Sequence, residues 1–211
     1  MLLSMMVIDD FYDNPMEVRK AALALEYDPI TPNTPYPGRN SKNAMLWPNS
    51  DQMFSQILRE PVRGHMGLAH GRFRQSTAAD VRGADIHVDP GSVWAGVLYM
   101  SLPQHCRGGT EFFRHREYGT EGAPLTPEDL KVYGPNETNR DVLVDRLTSV
   151  DGRDRSKWDL IMTVPMRFNR LVLFRGWQWH TAGESFGNSP ENCRLIQLFF
   201  FQSAQVAGMR L

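Results

Sequence analysis

His87, Asp89, His180 and Arg194 are the residues whose types and order could do chemistry. Two neutral imidazoles and one carboxylate can share a metal ion and leave its opposite face open, while an arginine can hold an acid. In His87-Val88-Asp89 an extended strand would set the first and third side chains on one face, so that both point at one ion. Pro90-Gly91 follows at once and would end that strand, leaving the ligands at its mouth. His180 comes much later, within Arg175-Gly176-Trp177-Gln178-Trp179-His180, a strand exit whose aromatics would make a dry wall for a reactive centre. His-x-Asp alone is a weak signal, because a core histidine beside a turn acid is the commoner cause. The ligand set suits iron and leaves zinc chemically open. Arg194 bears on that choice. It opens an apolar strand that runs to Phe201, where its charge must be paired or solvated. Either it makes a structural salt bridge, or its guanidinium is a fork for the distal carboxylate of a dicarboxylic co-substrate.

The elements that must position these residues are legible in outline. Met1 to Pro15 reads as an opening strand. Asn14-Pro15-Met16-Glu17 supplies a cap, a proline at the first helical position and an early acid, which begins an amphipathic helix ending before Pro29. Residues 28 to 49 are rich in proline and read as a long irregular segment without a strand. A second helix is expected from Ser50 to about Arg59, with Met53, Phe54, Ile57 and Leu58 inward. From Gly71 the pattern alternates. Strands are expected over Arg72 to Ala78, Ala84 to Val88, Val93 to Ser101, Thr110 to Phe113, Lys157 to Val164, Arg170 to Phe174 and Arg194 to Gln202. The polar stretch from Arg114 to Ser156 reads as an insertion, with helix starts at Thr126 and near Arg140. Repeated short strands point to a sandwich or barrel. The fold class is mainly β with flanking helices (α+β), in one domain over 1–211. Within it, 1–70 holds the helices and proline-rich loop, and 71–202 the core, interrupted at about 114–156.

Composition excludes several classes. A chain of 211 residues, 41% hydrophobic, can bury one sizeable core. The net charge is −1 and no basic block occurs, so the footprint of a nucleic-acid binder is missing. No apolar run is long enough to span a bilayer, and the start lacks the basic region of a signal peptide. Cys106 and Cys193 are the only cysteines, too few for a disulfide scaffold and compatible with a reducing cytoplasm. No nucleic-acid or membrane partner is expected, and a homodimer is left open.

Taken together the segments resemble the Fe(II)- and 2-oxoglutarate-dependent oxygenases, in their prolyl-hydroxylase-like branch. The resemblance covers roughly residues 71 to 202. His87-Val88-Asp89 resembles the metal dyad of that family. Gly108-Gly109-Thr110-Glu111-Phe112 is similar to its Gly-Gly turn, and Asn169-Arg170-Leu171-Val172-Leu173-Phe174 with Trp179-His180 to its closing strand and distal histidine. Arg194 matches the co-substrate arginine. Asn14-Pro15 and Tyr36-Pro37-Gly38-Arg39 resemble a small bacterial subgroup of unassigned function.

The resemblance implies a double-stranded β-helix, the jelly-roll or cupin-like core, with Fe(II), 2-oxoglutarate and O2 at its open mouth. It implies hydroxylation of an unactivated C–H bond of a small polar molecule, amino acid or peptide side chain, with formation of succinate and CO2. His87, Asp89 and His180 would be the metal-binding, catalytic set. Arg194 would hold the co-substrate, joined by Tyr99 and Thr110, since Ile196 stands where many relatives place a second hydroxyl. Tyr36, Arg39, Arg74, Gln75 and Trp179 are the candidate substrate contacts. Two other readings stay open: a cupin-like metalloenzyme that does not use 2-oxoglutarate, with Arg194 in a structural ion pair, and a non-catalytic sensor on the same fold.

Overall fold

The computed structural model describes residues 3–29, 36–80 and 85–204. The elements follow in the order β1 (Met5–Ile8), α1 (Pro15–Ala24), β2 (Arg39–Asn40), α2 (Ser50–Leu58), β3 (Val62–Gly64), β4 (Phe73–Ser76), β5 (Trp94–Tyr99), β6 (Gly109–His115), α3 (Pro127–Leu130), α4 (Arg140–Ser149), β7 (Trp158–Pro165), β8 (Arg170–Phe174), β9 (His180–Thr181) and β10 (Arg194–Ser203). Among the described residues they form two antiparallel sheets. The larger has the order β1-β8-β5-β10-β4-β2, with β3 also paired to β10, and the smaller β7-β6-β9. The fold is therefore mainly antiparallel β-sheet with few helices.

β10 is the spine of the larger sheet. Arg194 to Gln197 pair with β4, Phe201 to Ser203 with β3, and Ile196 to Phe201 with β5. Its first six residues are buried, which is why it reads as a nearly unbroken apolar run. Strand parity then divides its side chains between two cores. Leu195, Phe199 and Phe201 pack with Trp94, Leu98, Leu171 and Leu173 against Ala22 of α1 and Phe54 and Leu58 of α2. Ile196 and Leu198 face the other way, with Ala95, Val97, Val172 and Phe174, toward Phe112 and Val164 of the smaller sheet. Helices thus cover one face of the large sheet and the small sheet covers the other.

The insertion closes the far side of the small sheet. Leu143, Val144 and Leu147 of α4 pack with Phe113, Trp158, Trp179, Ile86 and Val88. Asn139 caps α4 through its side chain, and Thr126 with Asp129 forms a reciprocal capping box on α3. β7 is the outer strand of the small sheet, and Leu160, Ile161 and Met162 on it are exposed.

Several sequence expectations need correction. Residues 28 to 49 are not free of strand, because Arg39–Asn40 pairs with β4 and Tyr27 bridges Ser41; residues 30–35 lie outside the described set. Asn14 makes no side-chain cap, and Pro15 alone marks the helix start. The expected strand over Ala84 to Val88 is only an isolated bridge at His87, with residue 84 outside the described residues. Among the described residues, no helix is long and apolar enough to cross a membrane.

Candidate metal centre

His87 and His180 are brought together by the backbone. Each donates its amide to the other's carbonyl, at 3.0 and 2.9 Å, so the rings stand side by side with centroids 4.4 Å apart. Asp89 is fixed two residues on, where its amide donates to the Gly176 carbonyl at 2.7 Å. That close approach requires Gly176, since a Cβ there would lie 2.5 Å from the Ser92 carbonyl oxygen. The Asp89 carboxylate then faces both rings, with Oδ2 3.4 Å from His180 Nε2 and Oδ1 3.8 Å from His87 Nε2. One ligand atom from each residue lies within 4.8 Å of the others.

The protonation pattern suits a cation. His87 Nδ1 donates to the Asp85 carbonyl at 2.7 Å and His180 Nδ1 to the Gln178 carbonyl at 2.9 Å. With Nδ1 holding the proton, Nε2 presents its lone pair to the shared space. Burial, and then the neighbouring His180, push the His87 pKa down to about 4, so this ring is neutral at pH 7. Burial alone would raise the Asp89 pKa, but His180, His87 and Arg74 outweigh it and hold the carboxyl below its ordinary value. Two imidazole Nε2 atoms and an ionised carboxylate on one side of a space fit a three-ligand metal site with its remaining positions open.

Those positions open into a cavity of about 170 Å³ between the sheets, walled by Ala95, Val97, Phe174, Ile196, Leu198 and Phe200. Two cations enter it. Arg194 is 3% exposed, and its described bond is a single one, from Nη2 to the Ala182 carbonyl at 3.0 Å. Burial lowers its pKa to about 10, with Arg74 acting in the same direction. Arg74 donates Nε to Asn40 Oδ1 at 2.8 Å and lies over the Tyr36 ring at 5.1 Å, and burial lowers its pKa too. Tyr36 in turn sits 5.0 Å from the His87 ring. Burial raises its hydroxyl pKa to about 12. Among the described residues neither arginine has an ion-pair partner, and the remaining segments of the sequence contain no Asp or Glu.

The other sequence candidates fall in different places. Thr110 lines the cavity, whereas Tyr99 stands behind it. The Tyr99 hydroxyl is 2.7 Å from Thr110 Oγ1, accepts the Thr110 amide at 2.9 Å, and has a pKa raised by burial. Arg39 and Gln75 do not reach the cavity. They bond to each other at 3.2 Å and line a separate depression beside Asn188 and Cys193. Trp179 is fully buried in the α4 cluster, 5.3 Å from Trp158, and faces away from the cavity. His70 is buried outside the cavity and its Nδ1 accepts the Phe200 amide at 3.0 Å. The insertion contributes no cavity wall among its residues 114–156 and buttresses the back of the ligand strands instead. Asn40 and the carbonyl of Ala182, which orient the two guanidiniums, had no sequence signal; the walls Leu198 and Phe200 did, since they share strand parity with Arg194.

Residues 85–201 match the model of a family of unknown function, DUF6445. The chain belongs to that family. The DUF6445 stretch contains all three candidate ligands, Thr110 and Arg194, and begins after Arg74. No curated protein matches the sequence. Among solved structures, HygX from Streptomyces hygroscopicus, crystallised with nickel and 2-oxoglutarate bound, is similar with a TM-score of 0.46 and 12% identity, covering 98% of this chain and 85% of that one.

Proposed function

We propose that this protein is an Fe(II)- and 2-oxoglutarate-dependent oxygenase that hydroxylates a C–H bond of a small polar molecule, amino acid or peptide side chain. The observation that carries the reading is the pairing of features in one cavity: a three-ligand face and, sharing its walls, a buried guanidinium with no acid of its own. In this reading His87, Asp89 and His180 hold iron, Arg194 takes the distal carboxylate of 2-oxoglutarate, and Thr110 offers a hydroxyl beside it. Iron with 2-oxoglutarate and O2 supplies the oxidising chemistry, in which the co-substrate leaves as succinate and CO2 and one oxygen atom enters the substrate.

The chain's own residues do the rest. The carbonyls of Asp85 and Gln178 take the Nδ1 protons and fix the ring planes, so that each Nε2 is turned toward the metal space. Arg194, in dry surroundings, binds a carboxylate more strongly than it would in water, because no solvent screens the pair. Tyr99 positions Thr110 through its hydroxyl. The apolar walls keep water from the reacting atoms. The two-sheet arrangement is read as the jelly-roll core of a single domain over 1–211.

A cupin-like enzyme without 2-oxoglutarate would put Arg194 in a structural ion pair, and its single bond to a backbone carbonyl favours the co-substrate role. The test is anaerobic. Adding 2-oxoglutarate to the Fe(II) protein should produce a new visible absorption band, and Arg194→Gln should abolish it at the same concentration. An unchanged spectrum in the wild-type protein would overturn the reading. Succinate release across a panel of amino acids and peptides then separates an enzyme from a sensor.

A further inference from the structure

We infer that the primary substrate carries a carboxylate or similar single anionic group, and that Arg74 is the residue that binds it. The inference rests on the co-substrate reading above and extends it to the second cation of the same cavity, one strand over from Arg194.

Charge is the first argument. A divalent ion, two guanidiniums and the Asp89 carboxylate leave three positive charges around a small apolar space, and a dianionic co-substrate still leaves one. Asp89 is the single acid on the cavity wall, and as a metal ligand its charge is already engaged. An unpaired charge in such surroundings is costly, so the site is completed by one more anion.

Position decides which arginine receives it. Arg194 is nearly inaccessible and lies within electrostatic reach of Tyr99, whose hydroxyl meets Thr110. Arg74 comes from β4, directly opposite Ile196, and keeps part of its surface open. Its guanidinium rests over Tyr36, and Tyr36 rests against the His87 ring. This places it beside His87 and Asp89, where Asp89 acts on it through space. Only Nε is committed, to Asn40, so the two terminal nitrogens retain the flat edge that grips a carboxylate. The walls between are Ala69, Leu68, Leu198 and Phe200, which suit an aliphatic chain linking that carboxylate to the carbon presented to the metal.

The test uses the full chain, anaerobic, loaded with Fe(II) and saturated with 2-oxoglutarate. Straight-chain carboxylic acids of three to eight carbons, with and without a 2-amino group, are titrated calorimetrically beside their amides. At least one acid should bind about tenfold or more tightly than its amide. Arg74→Gln should erase that preference while changing 2-oxoglutarate affinity less than about threefold, and Arg194→Gln should do the reverse. The comparison of acid with amide needs no variant, so misfolding of Arg74→Gln would leave it intact. The inference fails if no acid binds better than its amide, or if Arg74→Gln weakens 2-oxoglutarate as much as Arg194→Gln does. Should wild-type protein not bind 2-oxoglutarate at all, the co-substrate reading fails separately, and the acid preference is still measured on the metal-loaded protein alone.

Discussion

Replacing Arg194 with Met should make the metal-free protein slightly more stable, and that direction distinguishes a ligand-binding arginine from a structural one. At pH 7 the guanidinium is charged in both folded and unfolded chains. Its folded pKa is lowered from 12.5 to about 10. At about 1.4 kcal/mol for each pH unit, holding the cation inside costs about 3 kcal/mol. The bond to the Ala182 carbonyl offsets about 1.5–3 kcal/mol of this. Met removes both and adds apolar contact with a wall that is already apolar, so the net change is about 1 kcal/mol toward stability. Breaking a buried ion pair would instead lose about 3–5 kcal/mol. The assay is urea unfolding of apo protein at pH 7, followed by thermal unfolding with Mn(II) and 2-oxoglutarate. At a hundredfold excess over Kd the wild type should gain about 2.7 kcal/mol, or about 5–10 °C in a chain of this size. If Arg194→Met weakens binding about a hundredfold, the same concentration stabilises by only about 0.4 kcal/mol. A variant several kcal/mol less stable that kept the full 2-oxoglutarate shift would refute the argument, because Arg194 would then be a strut.

Three further outcomes follow from the same physics. Asp89→Ala should weaken Fe(II) or Mn(II) binding by on the order of 100-fold, read by metal titration, while chelation of the wild type should reproduce its loss of activity. Asp9 accepts bonds from Arg170 at 2.6 and 2.9 Å and from Arg167 at 2.7 Å, and these bonds, chiefly Arg170, lower its pKa. Its contribution is present above the unfolded carboxyl pKa and disappears as pH falls through the lower folded value. Asp9→Asn should therefore cost about 1 kcal/mol at pH 7, kept small by partial exposure, with the two denaturation curves converging in strong acid. Leu143→Ala in α4, at a fully buried position, should cost about 2–5 kcal/mol by denaturation and should also loosen metal binding, since its cluster includes Ile86 and Trp179 beside the two histidines.

The candidate metal-binding trio and Arg194 were legible in the sequence because each lies next to an unmistakable chain feature: the Pro90-Gly91 turn, the aromatic exit at Trp179, the start of β10. Substrate contacts were less legible, and one physical rule accounts for the misplaced ones. Neighbouring residues on an extended chain face opposite ways. If Arg74 enters the cavity, Gln75 cannot, and Arg39, paired directly with Gln75, shares its exclusion. If His180 enters, Trp179 turns to the α4 cluster. Choosing between Arg74 and Gln75 needed the register of β4 against β10, in which Arg74 is opposite Ile196, and register is a long-range property that a single strand's pattern does not carry. The insertion's role was hidden for a related reason. Its composition is polar, yet Leu143, Val144 and Leu147 cover the outside of the small sheet.

Where the molecule tolerates unsatisfied charge is itself informative. Arg19 is as buried as Arg194, but donates to the carbonyls of Met100 and Glu191, both at 2.6 Å. Arg175 has Glu60 at 2.7 Å and the Leu3 carbonyl at 2.9 Å. Outside the cavity, then, these inward-facing guanidiniums are given two partners each. Inside it, Arg194 has one carbonyl and Arg74 one amide oxygen, and among the described residues neither makes an ion pair, Asp89 acting on Arg74 only at longer range. A fold that satisfies cations elsewhere and leaves two short of partners around a group of residues that could hold a metal has kept a local cost that packing alone does not explain. Anions arriving with a metal would remove that cost, so stability, co-substrate affinity and substrate charge should prove to be linked quantities at one site.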